Sequence, residues 1–279
     1  VVIFTTDDIT ISGGSISLTS ISDTEYTGYF TPSGQGLKTI VINANTLQDK
    51  VGHGNLASNT FEWTYDSIAP TIMITADEGV SGFTSNDATL SLIFTMSESA
   101  IGFNQSDITI GGGGELSSFI KFSDTEYTAT FTPDGENLKS LVVNSNMFQD
   151  KAGNGNPASN TFEWTYDDTS PTITITSEED LSGFQPNRET VKLKFTSSEP
   201  LKEGTFTTDD ITTSGGSISS LTNISDTEYE ADFTSSGHGL KTIVVHAGKI
   251  IDRAENSNTD ASNMFEWTDD CDDGYHLAE

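Results

Sequence analysis

The chain repeats itself at a period of about one hundred residues, and that period constrains the fold more than any other feature. Phe-Glu-Trp-Thr occurs at Phe61–Thr64, Phe162–Thr165 and Phe265–Thr268, which puts Trp63, Trp164 and Trp267 at spacings of 101 and 103 residues. Ser-Asp-Thr-Glu-Tyr recurs at Ser22–Tyr26, Ser123–Tyr127 and Ser225–Tyr229, and Asp-Ile-Thr opens at Asp8, Asp107 and Asp210. Solenoid and propeller units are roughly 20–50 residues long, so this repeat is the size of a whole small domain. The first copy opens level with the stretch just after Ser99 of the second. It therefore reads as a unit without its first two strands, cut from a longer parent. The expected division is 1–66 for the partial copy, 67–167 and 168–269 for the full ones, and 270–279 for the start of a different, Cys-containing segment.

Within the second copy the apolar residues alternate with period two, as in strands half-exposed to water. Leu90, Leu92, Phe94 and Met96 share one face, Tyr127, Ala129 and Phe131 another, and Phe162, Trp164 and Tyr166 a third. Turn formers separate the runs at Gly111–Gly114, Thr132–Gly135 and Gly153–Asn156. Seven strands are expected, near 70–77, 89–97, 106–111, 115–122, 126–132, 138–149 and 159–166. Seven short antiparallel strands in about 100 residues is the immunoglobulin-like count. The expected fold class is thus all-β, a linear array of tandem immunoglobulin-like antiparallel sandwiches, with a closed barrel as the alternative.

Charge narrows the function classes. Forty-two acidic residues stand against 12 basic ones, a formal net charge of −30. Such a surface repels phosphate backbones and anionic lipid, which argues against nucleic-acid binding. It attracts cations, and without them it repels itself. No stretch approaches the roughly 20 apolar residues of a membrane span. Only 33% of residues are hydrophobic, yet 16 Phe, 7 Tyr and 3 Trp argue for packed cores over disorder. The single Cys271 rules out a disulfide framework within the repeats.

Several motifs resemble the bacterial immunoglobulin-like repeats of large microbial surface proteins. They are Ser97-Glu98, Tyr127–Pro133, Phe148–Asn154, and Phe162–Asp167 followed by Pro171-Thr172. The resemblance implies stalk or spacer modules of adhesins and surface filaments, in an extracellular or cell-surface location. The segment from Cys271 onward resembles the opening of a small EGF-type module.

In a sandwich of this kind the entering linker, the loop after the second strand and the loop before the last strand meet at one end. Asp66, Glu98, Asp150, Asn154 and Asn156 are therefore expected near one another, as are Asp167, Asp168, Glu199, Asp252, Asn256 and Asn258. Carboxylates and amide oxygens without Cys or His suit Ca²⁺, which takes six to eight oxygens, and do not suit zinc. The competing reading is that Asp, Asn and Gly here simply form turns. Glu255, standing where the second copy has Gly153, weighs toward the cation.

Other motifs reduce to structure. Each tryptophan shares a face with a Phe two residues earlier, which favours core packing over sugar stacking. Gly111–Gly114 lacks the Lys-Ser or Lys-Thr of a phosphate loop. His53, His238, His246 and His276 fall at unrelated repeat positions, so no nucleophilic triad is indicated and the chain reads as not an enzyme. Asn104 and Asn223 head N-glycosylation sequons. The leading expectation is a structural stalk or filament segment, with neighbouring domains and other copies as partners. The alternative is an adhesive module binding a glycan or host protein, with Arg188, Lys192, Lys194 and Lys202 as its basic patch.

Overall fold

The computed structural model describes residues 4–177 and 190–269. Every regular element among them is a strand, apart from three single 3₁₀ turns. The second unit contains β6 (Ile72–Ala76), β7 (Phe83–Ser85), β8 (Leu90–Met96), β9 (Ile108–Gly111), β10 (Glu115–Lys121), β11 (Glu126–Thr132), β12 (Asn137–Val143) and β13 (Phe162–Tyr166). They form two sheets, β10-β11-β8-β6 and β7-β13-β12-β9, rather than one closed barrel. All neighbours are antiparallel except β7 and β13, which run parallel. This is the strand division of an immunoglobulin-like sandwich.

The first unit holds five strands before these: β1 (Thr10–Ser12), β2 (Gly14–Ser20), β3 (Tyr26–Pro32), β4 (Gly36–Val41) and β5 (Phe61–Tyr65), as a β1-β4-β5 sheet and a β2-β3 hairpin. The third unit continues with β14 (Ile173–Ser177), β15 (Thr190–Ser197), β16 (Ile211–Ser214), β17 (Gly216–Ser225), β18 (Glu228–Ser235), β19 (Gly239–Val245) and β20 (Phe265–Asp269). Its described sheets are β14-β15-β18-β17 and β16-β19-β20. Arg188 and the Cys271 segment lie outside the described residues.

The period-two faces build the cores. Leu90, Leu92 and Phe94 of β8 and Phe131 of β11 are at most 1% exposed, and Leu141 and Val143 of β12 face them from the other sheet. Trp164 is 1% exposed and stands edge-on to Phe131 at 4.9 Å. Phe30–Trp63 and Phe233–Trp267 repeat the contact at 4.8 and 5.1 Å. The tryptophans are core residues.

Two strand expectations change. The run expected over 138–149 ends at Val143, because Asn144–Asn146 turn the chain and Asn146 takes a positive φ of 62°. An eighth strand, β7, is too short for its alternation to register in sequence. Beyond these, the alternation conceals a buried cation. Lys139 occupies an inward position with Leu141 and Val143, directly across from Trp164, and is fully buried. Its Nζ donates to the Gly112 and Asp134 carbonyls. Lys38 and Lys241 repeat the arrangement, donating to Ser33 and Gln35 and to Ser236 and Gly237. A desolvated ammonium is tolerable only with such partners; Lys139 ties two turns at one end of its unit, whereas Lys38 and Lys241 each cap a single turn.

Candidate functional site

At the opposite end of the second unit three separate segments converge. Asp66 lies in the linker after β5, Glu98 follows β8, and Asp150 lies in the β12–β13 connection. One carboxylate oxygen from each falls within 4.8 Å of the other two. Asp167, Glu199 and Asp252 form the same triplet where the third unit begins. In both, the aspartate in the connection before the last strand is buried and the other two residues are half-buried.

The buried aspartate shapes its own loop. Asp150 Oδ1 accepts the Ala152 and Asn154 amides at 2.8 and 2.9 Å, while Oδ2 accepts Asn154 Nδ2 at 2.7 Å. Asn154 Nδ2 also reaches the carbonyls of Asp66 and Ile68, at 3.3 and 3.4 Å, so it binds the linker to the loop. Asp252 and Asn256 repeat this, with Asn256 Nδ2 donating to Asp252 Oδ2 at 2.9 Å and to the Asp167 carbonyl at 3.0 Å. Asn256 Oδ1 further accepts Asn86 Nδ2 at 2.9 Å, a bond between the second and third units. Glu136 braces the same junction by accepting the Asp168 amide and the Thr169 hydroxyl. In the first unit His53 takes the asparagine's place, its ring nitrogen 3.0 Å from Asp49.

The electrostatics of the triplets are strained. Burial, then the charges of Asp167 and Asp252, push the Glu199 carboxyl up to about 7. Glu98 is raised for the same reasons, burial first and then Asp66 and Asp150. Burial raises Asp150 too, but the hydrogen bonds from Asn154 and from the loop amides outweigh it and hold its carboxyl below the ordinary range. The first triplet thus sets an Asp150 that ionises readily beside a Glu98 that resists ionising, and in the second it is Glu199 that resists.

The remaining candidates take other work. Asn156 Oδ1 accepts the Met147 and Phe148 amides, and its Nδ2 donates to the Asn144 and Pro157 carbonyls. Asn258 does the same for Lys249, Ile250, His246 and Asp260. Asp168 accepts the Tyr166 hydroxyl. Glu255 bonds Lys202 at 2.6 Å, with a positive φ of 74° like that of Gly153, so its carboxylate adds no weight to the cation reading. Of the sequon residues, Asn104 caps a 3₁₀ turn through the Ser106 amide, and Asn223 lies exposed on β17.

The expected basic patch is neutralised among the described residues. Lys192 pairs with Glu230 at 3.1 Å, Lys194 with Glu228 at 2.6 Å, and Lys202 with Glu255. Sequence reasoning missed Asn86, Glu136 and the pair Asn160 and Asn263. Asn160 gives the Ile74 backbone two hydrogen bonds, and Asn263 gives Ile175 the same two. Their signal was present as the recurring Ala-Ser-Asn at Ala57–Asn59, Ala158–Asn160 and Ala261–Asn263.

Among solved structures, similar chains include the Escherichia coli adhesin FdeC, at 12% identity over 94% of this chain and 87% of that one, with a TM-score of 0.41. Invasin, described as a bacterial integrin-binding protein, aligns at 12% identity over 94% of this chain and 52% of its own, also at 0.41. The N-terminal part of the bacterial S-layer protein SbsC aligns at 13% identity over 73% and 44%, at 0.26. No curated protein sequence matches the chain. The family model described as a bacterial Ig-like domain matches residues 66–166 and again residues 167–268. These two tandem matches span most of the sequence, and the chain belongs to the bacterial Ig-like domain family.

Proposed function

We propose that the chain is a spacer segment of a bacterial surface protein, its units held end to end by junctions that a calcium ion closes. The observation that carries this reading is the recurrence of one carboxylate triplet, Asp66–Glu98–Asp150 and Asp167–Glu199–Asp252, each built from the linker and two loops of the following unit. Three carboxylates so close repel one another, and a divalent cation removes that repulsion. The donor set fits: it is all oxygen, and the Asp66 and Ile68 carbonyls lie beside Asn154 at the first triplet. Calcium takes such oxygens at about 2.3–2.6 Å in flexible geometry. Asp66, Glu98 and Asp150 would hold the first ion and Asp167, Glu199 and Asp252 the second. Each ion would join the linker to both loops and limit the swivel between units. The longest strands of the second unit hold seven residues, about 24 Å at ~3.4 Å rise, and the loops lengthen each unit further, so stiff junctions produce reach. The acidic surface fits a spacer that must not pair indiscriminately along its edges. Among the described residues Lys192, Lys194 and Lys202 are each paired with a glutamate, which weighs against the adhesive reading.

Thermal unfolding with calcium and with chelator tests the reading. A ligand that binds only the folded state stabilises it by about 2.7 kcal/mol at one hundred times its Kd. The second- and third-unit transitions should therefore rise with calcium, whereas superimposable curves would leave the triplets as turn architecture alone.

A further inference from the structure

The second and third units share a fold but differ on the outer face of the four-stranded sheet. In the second unit the strand register sets Thr75, Ile93, Thr128 and Ile120 side by side in one outward row. The row on one side of it holds Met73, Thr95 and Glu126, and Phe122 joins it by donating its amide to the Glu126 carbonyl. The row on the other side holds Ser91, Thr130 and Ser117, with Asp77 bonded to the Ser91 carbonyl. In the third unit the middle row reads Thr176, Lys194, Glu230 and Thr222, and Lys192 faces Asp232 beside it. Where the third unit carries Lys192, Lys194, Glu230 and Asp232, the second thus carries Ser91, Ile93, Thr128 and Thr130.

The face of the second unit is therefore a gap in a strongly acidic surface, with carboxylates only at Glu126 and Asp77. Met73, Ile120 and Phe122 are 59, 57 and 75% exposed, so no other part of the described chain covers them. Covering methyl and hydroxyl groups costs little, whereas covering the ion pairs Lys192–Glu230 and Lys194–Glu228 of the third unit would desolvate charges.

We propose that this face is a self-association surface and that its occupant is the same face of a second copy of the chain. Two sheets stacked about a two-fold axis parallel to the strands, passing between β8 and β11, keep each row over itself with its order reversed. Met73 then meets Phe122, a sulfur–aromatic contact, and Ile93 meets Thr128. Thr75 meets Ile120. Glu126 meets the Thr95 hydroxyl and Asp77 the Ser117 hydroxyl, so neither carboxylate faces another. Charge favours this occupant: two chains of net charge −30 repel wherever acidic surfaces approach, and this face lets them touch without that penalty. Three rows on four strands span about 20 Å by 20 Å, roughly 400 Å² per copy, which is small for a stable dimer. The pairing is accordingly weak and gains strength where many copies stand side by side. An uncharged glycan is the competing occupant.

Sedimentation equilibrium of the 279-residue chain in chelator, so that calcium cannot bridge copies, tests the proposal. The expected result is a mass that rises with concentration from 29.9 kDa toward twice that value. Association should be tighter at ~0.5 M than at ~0.05 M salt, because screening removes the repulsion between chains and the face has little charge to screen. Ile93→Lys with Thr128→Glu, which copies the Lys194–Glu230 pair that the same fold accommodates in the third unit, should weaken it at least about tenfold. Phe122→Ser, at an exposed position outside the core, should weaken it at least about threefold. Leu138→Lys, on the other sheet, should leave it within about twofold. A chain that stays monomeric at millimolar concentration would overturn the proposal, even if it then bound a glycan. Association that neither variant weakens, or that added salt weakens, would overturn it by placing the contact on another surface.

Discussion

Asn160→Ala is a perturbation whose cost can be worked from the structure with an internal control. β6 is the outer strand of its sheet, with β8 on one side only. On the other side Asn160 supplies an acceptor to the Ile74 amide at 2.8 Å and a donor to the Ile74 carbonyl at 2.9 Å. Ile74 is 1% exposed, so truncation leaves a buried N–H and a buried C=O without these partners. Each unsatisfied group costs about 1–3 kcal/mol. Partial access of water at a sheet edge keeps the sum toward the lower end, roughly 2–4 kcal/mol. For a unit of about 100 residues this lowers the melting midpoint by roughly 10–20 °C. Asn263→Ala should do the same to the third unit through Ile175. Asn59→Ala, with no β6-like strand beside it among the described residues, should stay within about 0.5 kcal/mol. Calorimetry, with transitions assigned by hydrogen exchange in β8, β15 and β3, separates the three. Equal shifts for Asn59→Ala and Asn160→Ala would show that the two hydrogen bonds are not what secures the edge strand.

Two further outcomes follow from the junctions. Glu199 holds its proton more tightly folded, near 7, than at the ordinary value of 4.5, so its contribution to stability is complete below 4.5 and is lost as pH rises through about 7. In chelator the third-unit midpoint should fall between about pH 5 and about pH 8, and Glu199→Gln should remove most of that slope; an unchanged slope would assign it to other groups. Asn86 and Asn256 should show a coupling of about 0.5–1.5 kcal/mol in a double-mutant cycle, and additivity within about 0.3 kcal/mol would mean that the bond across the junction does not form in solution.

The sandwich was legible because its cores are built from plain alternation: Leu90, Leu92 and Phe94 say which face is inward without any knowledge of their partners. The triplets were legible for a topological reason, since any sandwich of this strand order brings its linker and those two loops together. What stayed hidden depended on pairings that alternation does not encode. Lys139 sits at an inward position, yet only the two turn carbonyls explain how a cation survives there. Asn160 resembles any loop asparagine until β6 lies beside it. β7 is three residues long, too short to carry a period. The lysines of the third unit read as a patch because their partners Glu228, Glu230 and Glu255 are distant in sequence and close in space.

Calcium-binding stoichiometry, measured by equilibrium dialysis on the intact chain and on Glu98→Gln and Glu199→Gln variants, tests the cation-closed junction most directly. The predicted result is two sites in the intact chain, one in each single variant and none in the double variant. Binding that is absent at millimolar calcium, or that survives both substitutions, would contradict it and leave each triplet as three acidic side chains gathered by the fold.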